Sequence, residues 1–252
     1  MSPWQGGAGG SGDGGPRGRA QHPRRGGPPH ALRDPLLAAR GLAHGFGLRG
    51  DPGPDDLERP RQVHGSSIHR VAVRGDAAPV EADGIVCSLA GVAIGVVTAD
   101  CVPILLAGRK GPAGCTVAAV HAGWRGLCSG VVAAGVASLL EPAVVAAIGP
   151  HVGPCCYEVD APVLAAVGER FGPDPPAGAV RPGRAEHAWL DLGLLAAAEL
   201  QRAGVPPAAI SRGTVACTAC DPQRFHSYRR DGPRSGRLVH FIRVPPDPGG
   251  RT

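Results

Sequence analysis

Four short apolar runs, Val92–Val97, Ile104–Ala107, Cys115–Val120 and Ala143–Ile148, constrain this chain more than any other feature. They are apolar at consecutive positions, so they present no polar face, and a segment that short with no polar face reads as a strand buried on both sides. Ile68–Val73 alternates as a strand, and Val215 and Arg237–Val244 supply late strands. Helices are predicted over 126–140, stopped by Glu141-Pro142 as proline stops helices, over 161–171 with Asp160 as N-cap, and over 191–203, ended by Gly204. Strands and helices alternate in the middle while both ends add strands without regular crossovers. The pattern predicts a mixed sheet in an α+β arrangement, a single domain, rather than a doubly wound fold.

Composition restricts what else the chain can be. Residues 1–30 hold ten of the 40 glycines and five of the 27 prolines and no valine, leucine or isoleucine, so they cannot repay their ordering entropy by burial. A disordered Gly/Pro/Arg-rich tail is expected there, a folded unit over 31–244, and a flexible end over 245–252. The tail carries Arg17, Arg19, Arg24 and Arg25 against Asp13, a net +3 of the total +5. The folded part is thus close to neutral and offers no general basic face to nucleic acid. No positively charged start is followed by an apolar run, which predicts a cytoplasmic chain. The best membrane candidate, 84–108, is interrupted by Asp100 and Pro103 and reads as buried sheet. The G-x-G-x-x-G at Gly7, Gly9 and Gly12 lies in the tail with no strand before it, and no phosphate-loop motif exists.

Polar residues collect where the apolar runs end. Asp100-Cys101 follows Val96-Val97, His121 follows Val117–Val120, and Gln62-Val63-His64 precedes the first strand. His64, Cys101 and His121 make a set of two nitrogens and one thiolate, which suits zinc and leaves a fourth position open for water or substrate. Their spacings, 37 and 20 residues, are unlike those of structural zinc modules, and a buried thiol with two hydrogen-bonded histidines is the competing reading. Cys155 and Cys156 would face opposite ways on an extended chain, which sends one of them to the core. Cys217-x-x-Cys220 has the spacing of a zinc half-site or redox pair without a second half-site, and is expected as a structural thiol pair.

Six words of the sequence then bear a resemblance. Arg61-Gln62-Val63-His64-Gly65, Glu81-Ala82-Asp83-Gly84, the run Thr98 to Leu106 and Val120-His121-Ala122-Gly123-Trp124-Arg125-Gly126 resemble the YfiH-like family. So do Ile148-Gly149-Pro150 through Gly153-Pro154-Cys155-Cys156-Tyr157-Glu158-Val159, with Cys217-Thr218, and Ser227-Tyr228-Arg229-Arg230-Asp231-Gly232. This family is often labelled polyphenol oxidase or laccase domain and is associated with purine nucleoside phosphorylase activity. The resemblance implies a YfiH-like four-layer α/β/β/α fold with mixed sheets and a zinc at His64, Cys101 and His121, copper being the lesser expectation. It implies phosphorolysis of adenosine, inosine, guanosine and methylthioadenosine to free base and ribose 1-phosphate, a transferase reaction. It also implies adenosine deaminase, a hydrolase activity. Asp100, Cys101 and Arg125 are the catalytic candidates, and Gln62, Tyr157, Ser227, Arg229 and Arg230 the substrate-binding ones. Arg125, Arg229 and Arg230 are there as phosphate clamps, since a guanidinium fork matches phosphate oxygens in pairs. Nucleosides and phosphate are the expected partners, with no specific nucleic acid or membrane, and a monomer or homodimer is expected.

The chain departs from its relatives in having only 15 residues, 47–61, between His44-Gly45-Phe46 and the Gln-Val-His word, where relatives carry a longer segment. It also has Phe225-His226 where two aromatics are usual. Three other functions use the same residues: a cytoplasmic amidase editing cell-wall precursors through Cys101, a copper polyphenol oxidase, and a non-catalytic metal-stabilised binding protein. None of the ten histidines forms an H-x-H pair, which counts against the copper oxidase.

Overall fold

A computed structural model describes residues 31–108, 115–140 and 144–246. The strands are β1 (Ala31–Leu32), β2 (His44–Gly47), β3 (Leu57–Glu58), β4 (Ile68–Arg70), β5 (Gly84–Cys87), β6 (Ala93–Thr98) and β7 (Val102–Ala107). They continue as β8 (Val117–Ala122), β9 (Val145–Ile148), β10 (Glu158–Val159), β11 (Val180–Pro182), β12 (Ala188–Leu190), β13 (Ile210–Ser211) and β14 (Leu238–Arg243). The α-helices are α1 (Pro35–Ala39), α2 (Trp124–Cys128), α3 (Val131–Ser138), α4 (Ala161–Phe171), α5 (Leu192–Arg202) and α6 (Tyr228–Asp231). A six-stranded mixed sheet runs β13-β9-β7-β8-β5-β4, a five-stranded mixed sheet runs β1-β2-β14-β6-β3, and β10-β12-β11 form a small antiparallel sheet.

The consecutive apolar positions of the central strands now have a reason. Val102, Ile104 and Leu106 of β7 pack with Leu127, Val131 and Leu195 in a core between the six-stranded sheet and the helices. Leu105 and Ala107 of the same strand point the other way, into a second core shared with Phe46 of β2, Ile94 and Val96 of β6 and Ile242 of β14. Strand β8 divides likewise, Ala118, Val120 and Ala122 to one side and Val117 and Ala119 to the other. A period of two feeding two apolar layers leaves no position for a polar residue. Each large side chain buried this way contributes about 1.5–3 kcal/mol. Helices, sheet and second sheet stack as expected of the α+β fold.

Several expectations are revised. The helix predicted over 126–140 is two, α2 and α3, because Gly130 takes a left-handed conformation (φ 87°) that only glycine adopts without strain. Val215 lies in no strand; its N–H donates to the Arg212 carbonyl in a turn. The Ile68–Val73 strand is only three residues long, Ile68–Arg70. Residues 47–61 still supply β3, which pairs in parallel with β6. The expected tail over 1–30 and the Glu141-Pro142 stop lie outside the described residues.

One polar group sits deep between the sheets. His240 of β14 is fully buried, shares a hydrogen bond of 2.9 Å between Nε2 and the Thr98 hydroxyl, and has no partner for Nδ1. Burial pushes its pKa from the ordinary 6.5 down to about 3. The unfolded chain therefore takes up this proton near pH 6.5 and the folded one only near pH 3. Stability present above pH 6.5 is lost as pH falls through that window. Urea unfolding at a series of pH values should show that decline, with a shallower slope in His240→Gln; an unchanged slope would remove His240 from the account.

Candidate metal centre and cleft

The ladder of the six-stranded sheet carries most of the site. Strands β7 and β8 are antiparallel with Val102 opposite Ala122 and Pro103 opposite His121, so Cys101, one residue before β7, lies beside the end of β8. On the other side of β8, Gly84 pairs with Val120, and the Asp83 carbonyl accepts from the His121 N–H at 2.7 Å. His64 arrives from the loop before β4. Two antiparallel pairings thus erase separations of tens of residues. The ligand atoms of His64, Cys101 and His121 all lie within 4.8 Å of one another.

Asp83, which sequence reasoning had not singled out, organises this cluster. It is fully buried and accepts from the backbone N–H groups of Val63 (3.2 Å), His64 (2.8 Å) and Gly65 (2.6 Å) and from Nδ1 of His121 (2.8 Å). The three amides fix a loop in which His64 has φ 63°, a left-handed conformation costly for a side-chain-bearing residue. The fourth bond commits Nδ1 of His121 as donor and turns Nε2 into the free ligand nitrogen, an arrangement typical of metal-bound histidines. Burial raises the Asp83 pKa, but His121 and the amides outweigh it and hold the carboxyl below its ordinary range. The word Glu81-Ala82-Asp83-Gly84 was the one sequence signal that pointed to it.

The charges of the cluster support one another. Burial pushes the Cys101 thiol up, yet the imidazoles of His121 and His64 bring it down to about 7. Burial lowers His121, and Asp83 with Cys101 raises it to about 9. Gly123 completes the packing, because a Cβ there would stand 2.9 Å from the Cys101 sulfur. The donor set of two imidazoles and one readily ionised thiol fits a divalent metal ion of zinc type with an open position. The cluster lies in the wall of a cleft of about 920 Å³.

The other candidates separate into groups. Arg125, Tyr157 and Arg229 line the cleft, as do Gln62 and Asp100. The guanidinium of Arg125 lies 4.3 Å from the Trp124 ring centre, and that of Arg229 5.0 Å from the Tyr157 ring. Burial pushes the Tyr157 hydroxyl up to about 12. Gln62 spends its amide on strand β6, donating to the Val97 carbonyl (2.8 Å) and accepting from its N–H (2.7 Å). Asp100, with φ 90°, accepts from the Thr218 hydroxyl (2.6 Å) and the Arg229 N–H (2.5 Å) and thereby docks the C-terminal loops onto the site. Ser227 and Arg230 are not among the cleft residues. Ser227 is fully buried and caps α6 by accepting from the Arg230 N–H. Arg230 donates to the carbonyls of Thr218, Ala219 and Phe225 and pairs with Asp231, leaving its fork no room for phosphate. His226 packs over Gly236, outside the cleft lining.

An α+β fold whose cleft brings a cysteine and a histidine from adjacent strand ends together with a histidine from a neighbouring loop defines a protein with a candidate three-ligand metal centre. The chain belongs to the family described as multi-copper polyphenol oxidoreductase laccase, whose model matches residues 48–245. It is 45% identical over 186 residues to a purine nucleoside phosphorylase of Xylella fastidiosa, covering 71% of this chain and 68% of the relative. It is 34% identical over 195 residues to purine nucleoside phosphorylase YlmD of Geobacillus stearothermophilus, covering 72% and 69%. Among solved structures it resembles YlmD from that organism (TM-score 0.73, 29% identity, 89% of this chain and 98% of that one). It also resembles YfiH of Bacillus licheniformis (TM-score 0.69, 25% identity, 81% and 93%). No helix among the described residues is long and apolar enough to cross a membrane.

Two outcomes follow from this geometry. Asp83→Asn should weaken metal affinity about 10–100-fold, read by competition with a chromogenic chelator, and an unaltered affinity would remove Asp83 from the site. In metal-free protein, alkylation of Cys101 should rise with a midpoint near pH 7 and shift upward in His121→Gln; a midpoint unmoved by that change would show that His121 does not govern the thiol.

Proposed function

We propose that this protein is a zinc-dependent purine nucleoside phosphorylase, acting on adenosine, inosine, guanosine and methylthioadenosine, with accompanying adenosine deaminase activity. The observation that carries the reading is the convergence of His64, Cys101 and His121 in a cleft that also presents Arg125 and Arg229. The relatives' being named purine nucleoside phosphorylases supports the same substrate class.

In phosphorolysis the C1′–N9 bond breaks, a phosphate oxygen bonds to C1′, and the purine leaves with the bonding electrons and takes a proton. Arg125 and Arg229 are the guanidinium groups available to hold the phosphate dianion in line with the sugar carbon. Tyr157 keeps its proton at neutral pH, so its hydroxyl is a donor toward the nucleoside or phosphate. Asp100 has both carboxylate oxygens engaged and acts as a positioning residue, fixing the Arg229 backbone. His64, Cys101 and His121 would hold a zinc ion, which would supply Lewis acidity to the cleft. The protein is an enzyme of the transferase and hydrolase classes in this reading, located in the cytoplasm, with no nucleic-acid or membrane partner.

A second reading has one observation in its favour. Cys101, lowered to about 7 beside His121, is also suited to be the nucleophile of a thiol amidase, with a histidine as its base. Metal removal separates the two, because a thiol hydrolase survives chelation and the phosphorylase does not.

Purified metal-replete protein should release hypoxanthine from inosine only with phosphate present, and Cys101→Ala should remove the zinc of the cleft and abolish turnover. Arg125→Ala should raise KM for phosphate about tenfold or more, from the loss of a charge-assisted contact of about 1.5–3 kcal/mol. Absence of phosphorolysis and deamination across the four nucleosides, or stoichiometric copper in place of zinc, would overturn the reading.

A further inference from the structure

Four cysteines outside the cleft lining meet in one place. The turn at residues 154–156 brings the sulfurs of Cys155 and Cys156 together, which an extended chain would forbid, while Cys156 is half-buried against the main core, as expected of one of the pair, and Cys155 is exposed. Cys217 reaches them because its strand-like bridge to His151 lays residues 216–218 alongside 151, with the His151 N–H on the Ala216 carbonyl and the Thr218 N–H on the His151 carbonyl. Cys220 stands three residues on. Its sulfur is 3.5 Å from that of Cys155 and 3.3 Å from that of Cys156, and all four sulfurs lie within 4.8 Å of one another. All four are free thiols, Cys155 and Cys220 exposed.

The geometry points to a second metal site, in which Cys155, Cys156, Cys217 and Cys220 hold a thiophilic divalent cation of zinc type as a closed, four-thiolate structural centre. A tetrahedral ion with bonds of about 2.3 Å sets its sulfurs about 3.8 Å apart; the Cys220 separations of 3.5 and 3.3 Å lie a few tenths of an ångström below that value, and none of the four sulfurs is more than 4.8 Å from another. Cys217-x-x-Cys220 is one half-site, and the second half is the adjacent pair 62 residues upstream of Cys217, counted from Cys155, which the tertiary fold supplies. The Gly153 N–H donates to the Cys217 sulfur at 3.2 Å, the kind of outer contact that stabilises a thiolate ligand. Gly153 packs closely on the cluster, where a Cβ would sit a tight 3.1 Å from Cβ of Cys217 and 3.3 Å from the Cys155 sulfur.

The consequence is positional. Cys156 directly precedes Tyr157, and Cys217 directly precedes Thr218, the residue that donates to Asp100. An ion here clamps two loops whose next residues face or brace the cleft, and leaves no ligand position for substrate. This site stands on its own sulfurs and does not depend on the activity proposed above.

Full-length protein, kept reduced, stripped with chelator and reloaded with Zn2+, should carry two zinc ions per chain by elemental analysis. Cys220→Ser and His64→Ala should each retain one, and the double variant none. In His64→Ala, Co2+ should give tetrahedral d–d bands with strong thiolate-to-cobalt charge transfer, and Cys220→His should keep the ion with an altered spectrum. Added Zn2+ should raise the unfolding midpoint of His64→Ala and leave that of His64→Ala/Cys220→Ser unmoved. Metal content in Cys220→Ser equal to wild type would overturn the proposal. So would a His64→Ala protein that folds yet binds no Co2+, or an intact mass showing these cysteines joined as disulfides in reduced preparations.

Discussion

The buried carboxylate of Asp83 is the interaction on which the site depends. Four donors converge on it, three backbone amides of the His64 loop and one imidazole nitrogen of β8. An ionised group with no solvent exposure persists only when its hydrogen bonds replace the water it has lost. Those same bonds join a loop to a strand and set which nitrogen of His121 faces the cleft. Removing the charge would free the loop, relax the φ of His64 and release the tautomer of His121 together.

Asp100, directly before Cys101, repeats this logic. Its two oxygens take the Thr218 hydroxyl and the Arg229 amide, so a residue at one strand end holds loops more than a hundred positions away. Both His64 and Asp100 carry left-handed backbone angles. Strain of that kind survives where the surroundings over-determine it, and here each residue is pinned by a carboxylate bond network. The four-cysteine cluster lies behind the same loops, against Tyr157 and Thr218, so the cleft is braced from several elements rather than built on one.

Much of the site was legible because chemistry-bearing side chains interrupt strands that otherwise tolerate nothing polar. Asp100, Cys101 and His121 stood out against apolar neighbours for that reason, and the family words around them gave the arginines and Tyr157. The signal misled at Ser227 and Arg230, where a sequence word marks a helix cap and a guanidinium bound to backbone carbonyls. It overlooked Asp83, since a small acidic residue before a glycine looks like any turn until His121 is placed beside it. Gly130 did not stand out in a run that also holds Gly126 and Gly135, and its left-handed angle split the predicted helix.

The order of apolar and polar residues by itself determined the buried central strands, the helices after Asp160 and Asp191 and the residue types available for a metal. These depend on local periodicity and on caps a few residues long. Only the tertiary structure decided that Cys101 and His121 are neighbours, that Asp83 stands behind them, and that two vicinal cysteines join a distant Cys-x-x-Cys. Such contacts are set by strand register and by loop pairing across the sheet, and no spacing along the chain encodes which strands will lie side by side.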